Sequence, residues 1–270
     1  MKNALILFSI LFLFSARANG EMKKNHFIHH NINVNIDVAH SIIQVDNSID
    51  LSYFNEAESE QLHFYLNKNL VIDSCNMKLV EIAQEGDERA WKKYLVSDKI
   101  KDVNSKLFIR YHGIVADQKE MLNAPPKHGA SKETSGIVFE KGIYLSGTTA
   151  WVPRFEKRSL VTFEISATVD SDWNVVAQGK EISNEITDNK RCVVYKSDNP
   201  TNQIYLLGNK WTEYSTKSGD VLVQAYLINP DEKLANKYLE ATAKYLQMYE
   251  KLIGKYPYSK FALVENFWET

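Results

Sequence analysis

The chain has 270 residues, of which 44% are hydrophobic, a formal net charge of −2 and two cysteines. This length is sufficient for one or two domains with a sizeable core. The nearly balanced charge gives no electrostatic preference for nucleic acid or for a membrane surface, so we expect neither as a partner.

The N-terminus has the pattern of an export signal. Lys2 precedes an apolar stretch at residues 4–14, and Ala16 and Ala18 are small residues at the two positions that signal peptidase recognises. Cleavage after Ala18 leaves 252 residues with a charge of −4. No later stretch is apolar enough to cross a bilayer. We therefore expect a periplasmic or extracellular protein, with an uncleaved N-terminal anchor as the alternative.

Export places the two cysteines, Cys75 and Cys192, in an oxidising compartment. A disulfide between them and two separate buried thiols are both open at this stage, because sequence alone does not give the distance between their Cα atoms.

Residues 19–31 are predicted to form a polar linker. His26, His29 and His30 lie in it, but no regular helix pattern and no further ligand at a recognisable spacing accompany them, so we do not assign a metal site. Residues 32–229 then alternate apolar and polar positions between short turn sequences. This pattern predicts a mainly β N-terminal domain, an antiparallel β-sandwich or saddle-like sheet. Residues 121–135 contain Pro-Pro and are predicted to be an exposed loop.

The periodicity changes at residue 230, and residues 230–270 are predicted to begin a second domain. Asn229 is the predicted N-cap, Pro230 the first helical residue, and Gly254 the stop. Residues 261–264 are then predicted to form a short apolar strand. The apolar face of the helix is predicted to consist of Leu234, Tyr238, Ala241, Tyr245, Met248 and Leu252.

The sequence PYSKFALVENF at residues 257–267 resembles the start of the catalytic domain of aminopeptidase N-like zinc metallopeptidases, the gluzincin aminopeptidases. In that family a helix leads into a strand that ends in Gly-x-Met-Glu-Asn, and a zinc-binding helix with His-Glu-x-x-His follows downstream. The resemblance implies a β-rich N-terminal domain followed by the first helix and strand of a thermolysin-like α+β catalytic domain, truncated at Thr270.

The implied function is that of the N-terminal portion of an exported zinc metallo-aminopeptidase-like protein. When complete, such a protein would need zinc and would remove N-terminal residues from peptides that have a free N-terminus. This chain has no His-Glu-x-x-His, so we expect it to bind no zinc, to contain no catalytic residue and to be inactive alone.

The resemblance also implies a substrate-binding set of Val264, Glu265 and Asn266. The glutamate would bind the α-amino group of the peptide through a charge-assisted hydrogen bond, and the asparagine would fix the local backbone. A blocked N-terminus would be rejected, because the carboxylate would stay unpaired. The spacing alone favours the alternative, in which Glu265 is a surface acid after an edge strand.

Two departures from the family pattern indicate a divergent member, with altered specificity or no peptidase activity. Residues 262–264 are Ala-Leu-Val where the family has Gly-x-Met, and the segment around Trp151 matches the family's aromatic–proline motif only in part. The alternative function is an exported non-catalytic β-sandwich module that binds protein or glycan through exposed tyrosines and tryptophans. A complete family member without catalysis is a third possibility.

Overall fold

The computed structural model describes residues 27–54, 62–83, 90–98, 106–116, 136–156 and 160–267. The predicted export signal, most of the predicted linker and the predicted loop at 121–135 lie outside these residues. Among the described residues, no helix is both long enough and apolar enough to cross a membrane.

The first and largest sheet has seven strands in the order β13-β14-β11-β1-β2-β7-β4. Neighbouring strands are antiparallel except for β1 and β11, which are parallel. The strands are β1 (Ile28–Asp37), β2 (Ile42–Asp50), β4 (Leu70–Cys75), β7 (Lys106–Ile114), β11 (Val161–Asp170), β13 (Lys180–Thr187) and β14 (Lys190–Thr201).

Two four-stranded sheets cover the inner face of the seven-stranded sheet. The first has the order β10-β3-β6-β5 and the second the order β12-β15-β9-β8. Their strands are β3 (His63–Asn67), β5 (Leu79–Ile82), β6 (Trp91–Val96), β8 (Ile137–Phe139), β9 (Gly142–Leu145), β10 (Arg154–Phe155), β12 (Asn174–Ala177) and β15 (Leu206–Asn209). A 3-10 turn, Gly147–Thr149, follows β9.

The alternation of apolar and polar residues explains this packing. Along β1, every second side chain from Ile28 to Ile36 is buried, while Asn31, Asn33 and Asn35 face outward. The buried residues of all three sheets form one continuous hydrophobic core. The predicted mainly β, antiparallel architecture is therefore confirmed.

The predicted start of the first strand is wrong by four residues. β1 begins at Ile28, because Ile28 and His30 are buried and pair with β2 and β11. Residues 28–31 therefore belong to the sheet and not to a linker. His29 bonds to the hydroxyl of Thr162 at 2.8 Å.

The two cysteines lie at opposite sides of the seven-stranded sheet and are both free. Cys75 is on β4 and Cys192 is on β14, and four strands separate β4 from β14. At about 4.8 Å per strand spacing, the two residues are roughly 24 Å apart. This distance excludes the disulfide that the sequence left open.

A second, smaller unit contains a three-stranded sheet and one helix. The sheet has the order β16-β17-β18, with β16 (Thr212–Ser218) antiparallel and β18 (Lys260–Val264) parallel to β17 (Val221–Leu227). Helix α1 (Glu232–Leu252) packs on one face of this sheet and forms a separate core with it. Since β16 and β17 contribute to this core, the change of periodicity at residue 230 does not coincide with a change of core.

Helix α1 forms as predicted, but its N-cap is Asp231, whose side chain accepts a hydrogen bond from the backbone N–H of Leu234 at 2.9 Å. The predicted apolar face is also not the one packed on the sheet. Leu234, Tyr238, Tyr245, Met248 and Leu252 are exposed. The packed face consists of Ala235, Leu239, Thr242 and Leu246. These positions follow the same helical spacing but are rotated by about 100° around the helix.

Candidate functional site

Strand β18 is an edge strand, since no other described strand pairs with the side away from β17. Ser259 O accepts a backbone hydrogen bond from β17 and Glu265 N donates one to it, each at 2.9 Å. Alternate residues of a parallel strand bond to the same neighbour, so the N–H and C=O groups of Lys260, Ala262 and Val264 point to the free edge. An extended peptide can add to such an edge as a further strand.

Glu265 lies directly beyond the end of β18, and its side chain is exposed. Its Oε2 accepts a hydrogen bond from the backbone N–H of Ile228 at 2.6 Å, and its backbone oxygen accepts one from Trp211 Nε1 at 3.1 Å. Within the described chain, its Oε1 accepts no hydrogen bond. The first carboxylate oxygen is thus fixed by the end of β17, and the second remains open to a cationic group.

The other two predicted site residues, Val264 and Asn266, differ in their exposure to solvent. Val264 is half-buried and lines a cleft between β18 and the large β unit. The side chain of Asn266 is exposed and forms no hydrogen bond with the described residues. The backbone here is held by Trp211 and Tyr226, whose rings also pack together at 5.6 Å. The roles of Val264, Glu265 and Asn266 in substrate binding remain predictions.

The chain after β18 is anchored on the large unit by Phe267. Its ring packs edge-on against Phe139, with ring centres 5.3 Å apart. It also covers Gly142, where an added Cβ would lie 2.0 Å from the ring. Only glycine allows this close approach. The end of the candidate peptide-binding edge is therefore fixed against the hairpin of β8 and β9.

The start of β18 is anchored by Lys260, a residue that the sequence analysis did not identify. Its ammonium donates a hydrogen bond to Ala177 O at 2.7 Å and lies 4.2 Å from the centre of the Tyr195 ring. Burial lowers the pKa of Lys260 to about 8, while Glu181 and Glu213 act in the opposite direction. The only indication in the sequence was the spacing. Lys260, Ala262 and Val264 are alternate residues of β18, so their side chains lie on the same face of the sheet.

Each of the two units has a hydrogen-bonded polar pair near Lys260. Tyr195 donates a hydrogen bond from its hydroxyl to Glu181 Oε2 at 2.8 Å, and burial raises the pKa of this tyrosine well above its usual range. On the facing sheet, Gln224 Nε2 donates to Glu213 Oε1 at 2.6 Å. The bonded residues are 14 positions apart in the first pair and 11 in the second, so no short sequence motif indicates either pair.

The segment after the 3-10 turn is held from inside the core. Trp151 is fully buried and donates a hydrogen bond from Nε1 to Ile204 O at 3.1 Å. The segment is thus a loop anchored by a buried tryptophan.

No group of three or more His, Cys, Asp or Glu side chains among the described residues could hold a metal ion. A zinc site needs three protein ligands, and Glu265 has no second or third candidate ligand beside it. The described part of this chain therefore does not fit the zinc that the family resemblance implies, and no chemical step is derived through that metal.

Known protein-family profiles and curated proteins give no match to this chain. Solved structures do match. The M1 zinc metallopeptidase from Deinococcus radiodurans is similar with a TM-score of 0.58 and 11% identity, covering 92% of this chain and 58% of that one. A point mutant of this enzyme matches with a TM-score of 0.59 and 12% identity, covering 87% and 55%.

The same bacterial mutant bound to a Tyr-Ser-Ala substrate gives a TM-score of 0.57 at 12% identity, covering 88% of this chain and 55% of that one. This chain therefore has the fold of the M1 zinc metallopeptidase structures over most of its length. It spans between 55% and 58% of the length of the chains just described.

Proposed function

We propose that this chain is the N-terminal portion of an exported zinc metallo-aminopeptidase-like protein, and that β18 forms one wall of its peptide-binding cleft. In the complete protein, the zinc ligands would come from polypeptide that is not part of this sequence. The substrate would be a peptide with a free N-terminus. The observation that carries this proposal is the free edge of β18, which ends at an exposed carboxylate within the metallopeptidase fold.

The geometry at Glu265 supports amine recognition. With Oε2 held by the N–H of Ile228, the carboxylate has a fixed position and keeps Oε1 open. A peptide antiparallel to β18 would bring its first residue to this end of the strand. Its α-ammonium would then form a charge-assisted hydrogen bond with Glu265, while the backbone groups of Val264 and Ala262 pair with the peptide.

The outward face of α1 carries exposed apolar side chains, which supports the proposal that further polypeptide packs on it. Tyr245 is 59% exposed and Leu252 is 72% exposed. A groove of about 580 Å³, lined in part by Tyr245, Phe261 and Leu263, runs between α1 and β18. Apolar surfaces of this kind mark contact sites. The metallopeptidase chains contain further polypeptide that this sequence does not span. The corresponding polypeptide of the complete protein would bury this face.

The test uses the gene product expressed with any coding sequence that follows Thr270. We expect it to bind zinc and to hydrolyse aminoacyl-arylamides, but not their N-acetylated forms. Glu265→Ala should lower kcat/KM for the free-amine substrate on the order of 100-fold. A charged hydrogen bond contributes about 2–3 kcal/mol, and its loss lowers kcat/KM by this factor. Glu164→Ala is the matched control, since Glu164 is an exposed acid on β11, outside the cleft.

Three outcomes would contradict the proposal in different ways. A stop codon directly after Thr270, with peptide or glycan binding but no hydrolysis, would favour the non-catalytic binding module. An extended product without zinc would remove the metallopeptidase assignment. Equal kcat/KM for the Glu265→Ala and Glu164→Ala variants would remove the amine-binding role of Glu265.

A further inference from the structure

The cleft beside β18 has a volume of about 530 Å³ and an excess of positive charge. Three lysines line it, Lys180, Lys196 and Lys260, against a single acid, Asp198. Asp198 is itself paired with Lys196 at 3.4 Å. A negatively charged group that enters this cleft would meet two lysines that have no ion-pair partner among the described residues.

Lys260 is half-buried at the start of β18. Its two polar contacts are with neutral groups, the Ala177 carbonyl at 2.7 Å and the Tyr195 ring at 4.2 Å. Burial lowers the pKa of Lys260 to about 8, so it remains mostly protonated at pH 7. Glu181 and Glu213 act on Lys260 electrostatically, but neither forms an ion pair with it. A half-buried ammonium whose direct contacts are neutral can form a charge-assisted hydrogen bond with an anion that enters the cleft.

The position of Lys260 along β18 relates it to the peptide-binding edge. Its side chain lies on the same face of the sheet as those of Ala262 and Val264, which also line the cleft. Glu265 is five residues further along the chain, or roughly 17 Å at the rise of an extended strand. A peptide that starts at Glu265 and runs antiparallel to β18 would therefore place about its fifth residue opposite Lys260.

We propose that the cleft is a carboxylate subsite, in which Lys260 binds an acidic side chain or the terminal carboxylate of a peptide that lies along β18. Lys180 and Lys196 at the rim add to the attraction. This inference rests on the proposed function and deepens it. The inferred substrate class is short peptides that carry a negative charge about five residues from their free N-terminus.

The experiment measures, by fluorescence anisotropy, the binding of four labelled pentapeptides to the same gene product as in the test of the proposed function, with a chelator present so that the peptides stay intact. One has a neutral sequence and a C-terminal amide. The second has the same sequence with a free C-terminal carboxylate, and the third has aspartate at position five with an amide. The fourth is the N-acetylated form of the third. The second and third peptides separate the two possible sources of the carboxylate.

We expect at least one of the free-amine peptides that carry a carboxylate to bind at least tenfold more tightly than the neutral amide. Lys260→Met should abolish this difference, so that the variant binds the acidic and the neutral free-amine peptides with the same affinity. Lys233→Met is the matched control, because Lys233 is an exposed lysine on α1 outside the cleft, and this variant should retain the difference. If Lys260→Met does not fold, protection of wild-type Lys260 from reductive methylation by the acidic peptides provides the same test.

The outcomes separate this inference from the proposed function. Equal affinity for all free-amine peptides, or no protection of Lys260 from methylation, would overturn the subsite and leave peptide binding intact. Equal affinity for the acetylated and free forms of the aspartate peptide would overturn the amine-binding role of Glu265 and leave the subsite intact. No binding of any peptide would overturn both.

Discussion

At the scale of single residues, the buried histidine of the large core determines how the protein responds to acid. His30 is 1% exposed, and Asn47 Nδ2 lies 3.1 Å from its Nδ1. Burial, with a further contribution from the neighbouring His29, lowers the pKa of His30 to about 3. The imidazole is therefore neutral in the folded protein over most of the acidic range. In the unfolded chain its pKa is the ordinary 6.5.

This difference predicts a loss of stability below pH 6.5. Between pH 6.5 and 3 the unfolded chain binds a proton at this position and the folded protein does not, so the contribution to stability falls as the pH falls. The loss is about 1.4 kcal/mol per pH unit, or roughly 2 kcal/mol at pH 5. Urea unfolding of the wild type and of His30→Gln at pH 7 and pH 5 measures it.

The glutamine variant should lose about 2 kcal/mol less stability than the wild type between these two pH values. His40→Gln serves as the control, because His40 is exposed and its ion pair with Asp37 is a surface pair. Its response to pH should stay within about 0.5 kcal/mol of the wild type. An equal acid loss in wild type and His30→Gln would contradict the role of His30.

At the scale of elements, helix α1 offers a direct comparison of its two apolar faces. Leu239 packs on the sheet, whereas Leu252 is 72% exposed. Leu239→Ala should therefore lower the free energy of unfolding by about 2–4 kcal/mol, because it leaves a cavity in the smaller core. Leu252→Ala should change it by less than about 0.5 kcal/mol. Denaturant unfolding of both variants measures the difference, and similar losses would show that both faces are packed.

The helix also shows how far the sequence alone could predict an element. Its existence and its end at Gly254 follow from periodicity, and φ at Gly254 is +131°. The periodicity does not predict which face of the helix packs on the sheet, because two adjacent rows of residues both recur at helical spacing. The face with Ala235 and Thr242 packs inward, since small residues let the helix approach the sheet closely. Periodicity shows which face of a helix is more hydrophobic, but it does not show which face packs against another element.

At the scale of the whole molecule, the parts that the sequence did not predict are those that depend on long-range pairing. Strand β1 pairs with β11, which lies more than 100 residues further along the chain. The candidate site was predicted only where a local motif existed, at residues 264–266. Lys260 was not identified because its burial arises only when the small sheet packs against β12 and β14.

Lys260 also provides a measurement of how tightly the two units pack. Its folded pKa of about 8 lies below the ordinary 10.5, so between these values the unfolded chain binds a proton that the folded protein has released. Stability should therefore rise with pH from 8 to 10.5, by on the order of 3 kcal/mol in total. Below pH 8 both states are protonated, and the penalty of the buried charge is constant.

The carboxylates that act on Lys260 are those of Glu181 and Glu213, and both raise its pKa against the larger effect of burial. Burial raises the pKa values of Tyr195 and Tyr226, so both stay un-ionised in the folded protein across this range, and their effect is the same in the wild type and in Lys260→Met. The difference in unfolding free energy between wild type and Lys260→Met, measured from pH 7 to pH 10.5, isolates the contribution of this lysine from that of the other lysines. If the difference stays constant across this range, Lys260 is solvated and the two units do not pack as closely as the structure shows.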